Sequence, residues 1–501
     1  MSDLKIEILD SIHCKASNLY TKEALKPVLS FEEVIERPGP RGPIRKSRRV
    51  SLINSKGFFP TGMYNRVEKF LGSRQGSVIV NEPPLLLEPK DICPLDKVIY
   101  REYQKEAIRT GLHYQRGTIK APARSGKTVI AAGIIKSLQE ENDTRSLFLV
   151  NTKDILYQTK EAFDSYGLEA GVVGGGKKEL DAKNIIATYQ SMKAYADIER
   201  LYDFGVILVD EAHHARKING SYWNILMNCP APVKLGLTAT IPEREGEKMV
   251  MEALLGPVIY EITQEKAKEI GATVKARIKI VKAPEHVVNV KRMSYLDAYQ
   301  TGVIENRSLN RLIVMEAVKY LEEKNTVLIL VSRVQHGFQI ERIFNLLFPQ
   351  YKTPFLCGGI DSETKSYLED LKRRLEKFQT KRELASKIES EISKVQELEK
   401  EIRKRAQNRN EYRHAFINRE ISCVIATNIW NEGVNIPTLN VLINAAGGKS
   451  EIRTIQASSR SLTACPGKSE GVIVDVFNPI HTSFINHFGH RIATYCELGW
   501  M

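Results

Sequence analysis

Cysteine is scarce in this sequence and is never arranged for metal binding. The seven cysteines are scattered from Cys14 to Cys496, with no C-x-x-C pair and no histidine set beside them. This spacing excludes the usual zinc-finger patterns, and an odd, scattered set does not form a disulfide framework. We expect reduced thiols, most of them buried.

Long apolar runs are absent as well. No stretch of about 18 or more consecutive apolar residues occurs, which excludes a hydrophobic transmembrane helix. The beginning, "MSDLKIEILD", lacks the basic-then-apolar pattern of a secretory signal. The sequence therefore predicts no membrane association and a cytoplasmic location.

Negative charge falls short of positive charge. Lysine and arginine number 73 against 60 aspartates and glutamates, which gives a net charge of +13. Such an excess favours an acidic polymer as partner, with nucleic acid the leading candidate, although it also fits a merely basic soluble protein. A chain of 501 residues with 42% hydrophobic residues has material for about three domains. We expect a monomer.

Residues 1–90 predict a small α+β domain. "LKIEIL", "RVSLIN" and "SVIVNE" are typical of short strands, and "YNRVEKFLGS" is typical of a helix. Between them, residues 37–49 ("RPGPRGPIRKSRR") predict an exposed basic loop, because proline and glycine interrupt regular elements. Two interpretations stay open for this loop, a solvated linker and a contact with a phosphate backbone. The basic residues concerned are Arg45, Lys46, Arg48 and Arg49.

Two α/β domains are expected to follow, at residues 98–265 and 306–480, with residues 481–501 as a C-terminal tail. In the first domain "SLFLVN", "NIIAT", "GVILVD" and "VKLGLTAT" alternate with amphipathic segments; in the second, "TVLILVS", "SCVIATN", "NVLINAA" and "GVIVDVF" do so. This alternation indicates parallel sheets covered by helices on both faces.

Residues 362–413 interrupt the second domain. They contain no glycine or proline, are rich in both charges, and carry apolar residues at three- and four-residue steps from Leu368 to Ile402. That period is typical of a coiled coil. A single helix would carry the chain about 75 Å away from its sheet. We therefore expect an antiparallel helical hairpin, either a structural spacer or an arm that contacts duplex DNA or a partner.

A phosphate-binding loop is indicated by the run A-P-A-R-S-G-K-T, which has the G-x-x-x-x-G-K-[ST] spacing with alanine in place of the first glycine. Backbone N–H groups would hold the phosphates, Lys127 would reach the β- and γ-phosphates, and Thr128 would ligate Mg²⁺. Alanine is tolerable at the first position if its φ is negative, whereas Gly126 needs the freedom of glycine. The loop consists of Ala121, Pro122, Ala123, Arg124, Ser125, Gly126, Lys127 and Thr128.

A pair of carboxylates ends a buried strand in "GVILVDEAHHA", residues 205–215. The carboxyl end of a parallel strand is where α/β sheets bind ligands. Asp210 can hold Mg²⁺ and Glu211 can orient an attacking water, as phosphoryl transfer requires. His213 is better placed to couple this site to neighbouring loops than to bind a metal.

In this order, "REYQ" (101–104), A-x-x-x-x-G-K-T, D-E-A-H, "GLTAT" (236–240), "ATNIWNEGVNIP" (426–437) and "QASSR" (456–460) resemble the motif series of superfamily-two helicases and translocases. Within that superfamily the chain is similar to the phage UvsW helicases and to the XPB and restriction-enzyme motors. "SRVQHG" (332–337) and, more weakly, "FFPTGMYNRV" (58–67) carry the likeness to UvsW. The resemblance implies two RecA-like domains that use ATP and Mg²⁺ to move on DNA, in a host cytoplasm if a phage encodes the chain.

The resemblance also implies roles for individual residues. Arg101, Gln104 and Gly433 would contact the nucleotide, Gln456 and Arg460 would take part in hydrolysis, and Thr238 and Thr240 would link the nucleotide site to the DNA track. The track itself would be lined by Thr152, Lys153, Gln158, Thr188, Gln190, Ser332, Arg333, Gly358, Gly359 and Thr427.

The last two motifs depart from the family pattern. Asn435 replaces the usual aspartate of the fifth motif, and Thr463 replaces the second arginine of the sixth. The favoured function is an ATP-dependent motor that remodels branched or forked DNA. The alternatives are a duplex translocase that does not separate strands and a degenerate, non-hydrolysing protein that binds branched DNA.

Overall fold

In the computed structural model, the chain divides into two units after Ala267. Each unit has its own parallel sheet. The structure describes residues 6–37, 44–72, 87, 91–122, 125–195, 201–263, 266, 274–285, 288–357, 369, 372–373, 375, 382–427, 436, 438–447, 462 and 468–501.

The first unit begins with a small α+β region. Strands β1, β2 and β5 form a three-stranded antiparallel sheet, and β3 and β4 form a separate ribbon. Cys14, Phe59, Met63 and Val67 supply its apolar core. The described residues of this region thus combine short strands with helices, while the predicted strand "SVIVNE" lies outside the described residues. Its elements are β1 (Ile6–Ile8), β2 (His13–Ala16), α1 (Leu19–Leu25), β3 (Ser30–Arg37), β4 (Ile44–Ser51), β5 (Phe58–Pro60) and α2 (Tyr64–Gly72).

The predicted basic loop at residues 37–49 is wrong for residues 44–49, which belong to strand β4. The register pairs Arg49 with Glu32, Arg48 with Glu33 and Arg45 with Glu36. Opposite charges across an antiparallel pair stabilise it, and the Arg48 Nε lies 2.7 Å from a Glu33 oxygen. The prediction rested on the prolines and glycines of the segment and missed the acidic strand that pairs with it. Residues 38–43 lie outside the described part of the chain.

An eight-stranded sheet follows, in the order β13-β6-β12-β11-β7-β10-β8-β9. Every strand pair is parallel except β8 and the short β9. Strands β10 and β12 are buried along their whole length, as expected for a sheet covered on both faces. The strands are β6 (Arg116–Lys120), β7 (Arg145–Val150), β8 (Ala170–Gly174), β9 (Lys177–Lys178), β10 (Asn184–Thr188), β11 (Phe204–Asp210), β12 (Val233–Thr238) and β13 (Val258–Glu261).

Helices connect these strands and bury their apolar sides on the sheet. Thr152 caps the helix after β7 by accepting a hydrogen bond from the Ile155 N–H at 3.3 Å. The helices are α3 (Glu102–Tyr114), α4 (Lys127–Glu141), α5 (Lys153–Ser165), α6 (Tyr189–Tyr195), α7 (Ser221–Leu226) and α8 (Glu245–Leu255).

Helix α8 joins the small α+β region to the large sheet. Met249 and Ala253 on α8 belong to the core of the small region. Arg66 places its Nη2 2.7 Å from a Glu252 oxygen. A Cβ on Gly62 would lie 2.3 Å from the Glu252 carbonyl oxygen, so glycine is required for this approach. The region is thus packed onto the first unit's parallel sheet.

The second unit contains a six-stranded, wholly parallel sheet in the order β14-β19-β18-β15-β17-β16. Its edge strand β14 lies before residue 306, although the sequence pattern predicts that this domain begins at residue 306. The charged, alternating "KARIKIVK" of β14 is typical of a half-exposed edge and lacks the apolar run of a central strand. The strands are β14 (Lys275–Lys282), β15 (Val327–Leu330), β16 (Phe355–Leu356), β17 (Cys423–Ala426), β18 (Val441–Asn444) and β19 (Glu470–Phe477).

The C-terminal residues form a helix, in contrast to the tail expected from residue 481. Arg491 of this helix is 3% exposed and makes a bidentate ion pair with Asp475, which is fully buried on β19. The helices of the unit are α9 (Tyr295–Tyr299), continued by a π-helical turn (Gln300–Ile304), α10 (Arg307–Glu322), α11 (Val334–Leu347), α12 (Arg382–Gln407), α13 (Arg409–Ile417) and α14 (Thr482–Glu497).

The insertion is described mainly in its second half. Helix α12 runs without a break over 26 residues, and Ile388 and Ile402 of the apolar stripe are buried. Near its end, Arg405 contacts both Glu341 oxygens, at 2.8 and 2.9 Å. The first arm of the expected hairpin lies largely outside the described residues, so the hairpin stays a prediction. The two parallel sheets themselves confirm the predicted fold class.

Candidate nucleotide-binding site

The carboxyl ends of five neighbouring strands bring the motifs of the first unit together. Strands β6, β12, β11, β7 and β10 are adjacent and parallel. Each is followed directly by a predicted functional segment, because parallel strands end at one edge of their sheet. The predicted residues nearest to these strand ends are Ala121, Thr238, Asp210, Thr152 and Thr188.

Gly126, at the end of the loop after β6, has a conformation that suits a phosphate site. Gly126 has φ +82° and precedes the first residue of α4. The first N–H groups of a helix have no intrahelical partner. Because no side chain caps α4, these groups are available to bind an anion. A Cβ at Gly126 would lie 2.4 Å from the Gln104 Nε2. Glycine is therefore required at position 126, both for the positive φ and for the close approach of Gln104.

Alanine at the first motif position causes no strain. Ala121 is fully buried and is not among the described residues with positive φ. Its N–H donates to the Thr238 carbonyl at 2.8 Å, which extends the β6–β12 ladder by one residue. Position 121 thus continues a strand and does not need glycine. Ala123 and Arg124 lie outside the described residues.

Lys127 and Glu211 face each other across the site. The Lys127 Nζ is 3.9 Å from a Glu211 oxygen and 3.5 Å from the Ala121 carbonyl oxygen. Burial acts to raise the pKa of Glu211, but the Lys127 ammonium and His213 outweigh it and hold that pKa below its usual range. Glu211 is therefore ionised, as a residue that polarises a water must be.

Asp210 and Thr128 carry oxygen donors of the kind that Mg²⁺ prefers. Burial and the adjacent charge of Glu211 raise the pKa of Asp210, so this carboxylate favours a cation that would relieve the repulsion. A hydroxyl and a carboxylate are hard oxygen ligands, and Mg²⁺ commonly takes only one or two from the protein. No group of three or more metal-binding side chains occurs among the described residues.

Gln104 is buried against the phosphate loop. Its Oε1 accepts from the Arg101 N–H at 2.9 Å, and its Nε2 donates to the Ser125 carbonyl at 3.1 Å. Tyr103, which sequence reasoning missed, donates its hydroxyl to the same carbonyl at 2.8 Å. Both side chains fix the loop, while adenine contacts by Arg101 and Gln104 stay a prediction. The presence of an aromatic residue within "REYQ" is the feature of the sequence from which a role for Tyr103 could have been predicted.

His213 connects two motifs. Its Nδ1 lies 3.0 Å from the Thr238 hydroxyl and 3.4 Å from a Glu211 oxygen. The Thr238 hydroxyl in turn donates to the Thr240 carbonyl at 2.8 Å. This geometry agrees with a coupling role for His213.

The predicted track residues of the first unit differ in accessibility. Lys153 and Gln190 are exposed, and Gln158 is half-buried. Thr152 is the cap of α5. The Thr188 hydroxyl donates to the Ser191 hydroxyl at 2.9 Å, and Thr188 is only 4% exposed. Of this set, Lys153 and Gln190 are thus the most accessible to a DNA strand.

In the second unit, Ser332 donates to the Ala446 carbonyl at 2.8 Å, and the Arg333 guanidinium lies 5.9 Å from the centre of the Tyr299 ring. Thr427 donates its N–H to the Leu356 carbonyl at 3.2 Å. The remaining predicted residues of this unit lie outside the described part of the chain: Gly358, Gly359, Gly433, Gln456 and Arg460.

Two family models match the chain. Residues 97–243 match the res subunit of type III restriction enzymes, and residues 371–464 match the helicase conserved C-terminal domain. Both matched regions are similar to domains of superfamily-two helicases. The first match contains the whole nucleotide site described above, and the second contains the fifth and sixth motifs.

Relatives of this chain include motors from viruses and archaea. The chain is 32% identical over 40% of its length to the DNA 3'-5' translocase XPB2 of Sulfurisphaera tokodaii, covering 43% of that protein. It is 24% identical over 74% of its length to the ATP-dependent DNA helicase uvsW of Enterobacteria phage T4, covering 78% of that protein. The chain thus spans less than half of the first relative and about three quarters of the second.

Among solved structures, a fragment of a type I restriction-enzyme HsdR subunit from Vibrio vulnificus superposes with a TM-score of 0.53 at 16% identity. The superposition covers 91% of this chain and 88% of the fragment. This likeness supports the fold alone. Within the described part of the chain, no helix is both long and apolar enough to span a membrane.

Proposed function

We propose that the chain hydrolyses ATP and uses the energy to move on DNA and separate its strands, with branched or forked DNA as the preferred substrate. The observation that carries the proposal is the meeting of Lys127, Asp210 and Glu211 at the uncapped start of α4. A cation, a metal-binding carboxylate and an ionised base are the parts that phosphoryl transfer requires.

Each residue has a distinct task in this mechanism. The N–H groups of Gly126, Lys127 and Thr128 would bind the β-phosphate, and the Lys127 ammonium would neutralise the γ-phosphate. Glu211 would orient the attacking water and accept its proton. Thr128 and Asp210 would hold Mg²⁺, which supplies charge neutralisation at the phosphate oxygens when bound. Gln456 and Arg460 would contribute to hydrolysis, as the resemblance implies.

Two relatives support the two forms of motion that we consider. The phage T4 relative is named an ATP-dependent DNA helicase, and the archaeal relative is named a DNA 3'-5' translocase. Strand separation is the favoured activity, and translocation on duplex DNA is the second candidate. We further propose a monomer that acts in the cytoplasm, or in the host cytoplasm if a phage encodes it.

Strand displacement on matched forked, four-way and linear DNA substrates tests the proposal. We expect ATP-dependent separation of forked and four-way substrates at a rate well above that of a linear duplex. Equal rates would remove the preference for branches. Translocation without displacement, measured by removal of a protein block, would favour the duplex translocase. If DNA does not stimulate ATP hydrolysis, the remaining interpretation is a protein that binds branched DNA without hydrolysing ATP.

The β3–β4 ribbon is a candidate DNA-binding element. Lys46, Arg48 and Arg49 are exposed, and the residue directly opposite Lys46 is the uncharged Ile35 and not a glutamate. Changing Arg45, Lys46, Arg48 and Arg49 to glutamate should weaken DNA binding. The negative slope of log K against log salt should become shallower by about 0.9 for each duplex phosphate that the variant no longer neutralises.

Titration of binding affinity at several salt concentrations measures this change. Lys26→Glu is the matched control, because Lys26 is an exposed, ion-paired lysine of the same region. Its salt slope should equal that of the parent. An unaltered slope in the ribbon variant would mean that the ribbon does not touch DNA.

A further inference from the structure

Asn151 and His214 connect the nucleotide site to the loop that follows β7. The Asn151 Nδ2 lies 3.2 Å from the His214 Nε2. The sequence motifs predict no contact with nucleotide or DNA for either residue. Their contact joins the carboxyl ends of β7 and β11, which are neighbours in the sheet.

His214 is tied directly to the backbone of Glu211. Glu211 is the N-cap of the 3₁₀ turn Ala212–His214, and the His214 N–H donates to the Glu211 carbonyl at 3.0 Å. Glu211 itself has φ +48°, a left-handed conformation that is uncommon for glutamate. The surrounding contacts must hold that conformation in place. A shift of His214 would therefore move the carboxylate of Glu211.

A second connection runs through the histidine rings. The rings of His213 and His214 lie with their centres 4.2 Å apart. His213 reaches both the Glu211 carboxylate and the Thr238 hydroxyl. His214 is thus in contact with the catalytic turn through its backbone and through its neighbouring ring.

At the other end, Asn151 lies beside the predicted DNA track. It precedes Thr152, the cap of α5, and the exposed Lys153 at the start of that helix. A phosphate bound by the Lys153 side chain or by the first N–H groups of α5 would fix this loop. The position of Asn151 would then be set by DNA.

We infer that Asn151 and His214 are positioning residues that couple DNA binding at the β7–α5 loop to the placement of Glu211. This inference rests on the proposed function, since it requires one site for ATP and another for DNA. Coupling between two sites is reciprocal, and typical values change affinity by about 5–150-fold.

The test measures both directions of the coupling. The affinity of a fluorescent, non-hydrolysable ATP analogue is measured with and without saturating single-stranded oligonucleotide. The affinity of the oligonucleotide is then measured with and without the analogue. In the parent the two ratios should be equal and about fivefold or more. In Asn151→Ala and in His214→Ala both ratios should fall toward one, while each ligand alone still binds.

Three further proteins separate positioning from a general structural defect. The double variant should lose no more coupling than either single variant, because the two residues act through one contact. His214→Gln keeps a hydrogen-bonding group and should retain much of the coupling. His113→Ala, which removes an exposed histidine at the end of α3, should behave like the parent.

Retention of the parental coupling by both alanine variants would overturn the inference, as would additive losses in the double variant. These outcomes leave the proposed function intact, because the parent still couples ATP to DNA. If the parent binds both ligands with no coupling and no DNA-stimulated hydrolysis, the proposed function fails together with the inference.

Discussion

Replacing Lys127 by alanine is expected to lower the kcat of ATP hydrolysis by at least about 10²–10³-fold, the usual effect of removing a group that stabilises transition-state charge. The loss has two causes in this structure. The ammonium that would neutralise the γ-phosphate disappears. The same charge also favours ionisation of Glu211, so the pKa of Glu211 should rise in the variant.

A steady-state ATPase assay at saturating ATP, with and without DNA, measures this effect. Lys120→Ala is the matched control, because Lys120 ends the strand that leads into the loop but pairs with Glu261 at 2.7 Å. Its kcat should stay close to that of the parent. DNA affinity of Lys127→Ala should also be largely retained, since the substitution lies in the nucleotide loop.

The companion variant Glu211→Gln separates binding from chemistry. Glutamine keeps the size of the side chain but cannot accept the proton of the attacking water. We expect ATP binding to persist and turnover to be lost. Parental turnover in either the Lys127 or the Glu211 variant would show that this site is not the centre of hydrolysis.

Asp475→Ala should destabilise the second unit by about 3–5 kcal/mol, the usual cost of leaving a buried charge without its partner. Asp475 is fully buried and accepts two hydrogen bonds at 2.8 Å from the Arg491 guanidinium, through Nε and Nη2. Its Oδ2 also accepts from the Tyr495 hydroxyl at 2.8 Å. Burial acts to lower the pKa of Arg491, but Asp475 outweighs it and raises that pKa.

Hydrogen–deuterium exchange at the β19 amides measures this destabilisation within the unit concerned. Exchange should accelerate by about 10²-fold or more, since each 1.4 kcal/mol corresponds to about tenfold in an opening equilibrium. Glu470→Ala is the control, because Glu470 lies on the same strand in an exposed ion pair with Arg277 at 3.1 Å. Exposed pairs contribute about 0–1 kcal/mol. Equal effects of the two variants would mean that the buried pair does not hold α14 to the sheet.

The predictable part of the site depended on short-range features. Each central strand is an apolar run, and the residues that follow it in sequence must lie at the carboxyl edge once the strands are parallel. Lys127, Asp210 and Glu211 could therefore be assigned to one site without coordinates. The need for glycine at position 126 was predictable too, because the loop must turn into a helix there.

Contacts between distant segments were not predictable in the same way. The ribbon depends on Glu32, Glu33 and Glu36 facing a basic segment across a turn, and only the register reveals that pairing. Strand β14 has no central apolar run and was missed for that reason. Helix α14 is fixed by Arg491 reaching back to β19, so the residues after 481 could be taken for a tail.

The sequence by itself determined the central strands of the two parallel sheets and the chemistry at the end of β6 and β11, because these follow from local periodicity and from motif spacing. Only the tertiary structure decided that Ala121 continues a strand, that Tyr103 and Gln104 fix the loop, and that Asn151 meets His214. The last of these contacts joins residues 63 positions apart. Such partners are selected by the packing of neighbouring strands, which no local pattern encodes.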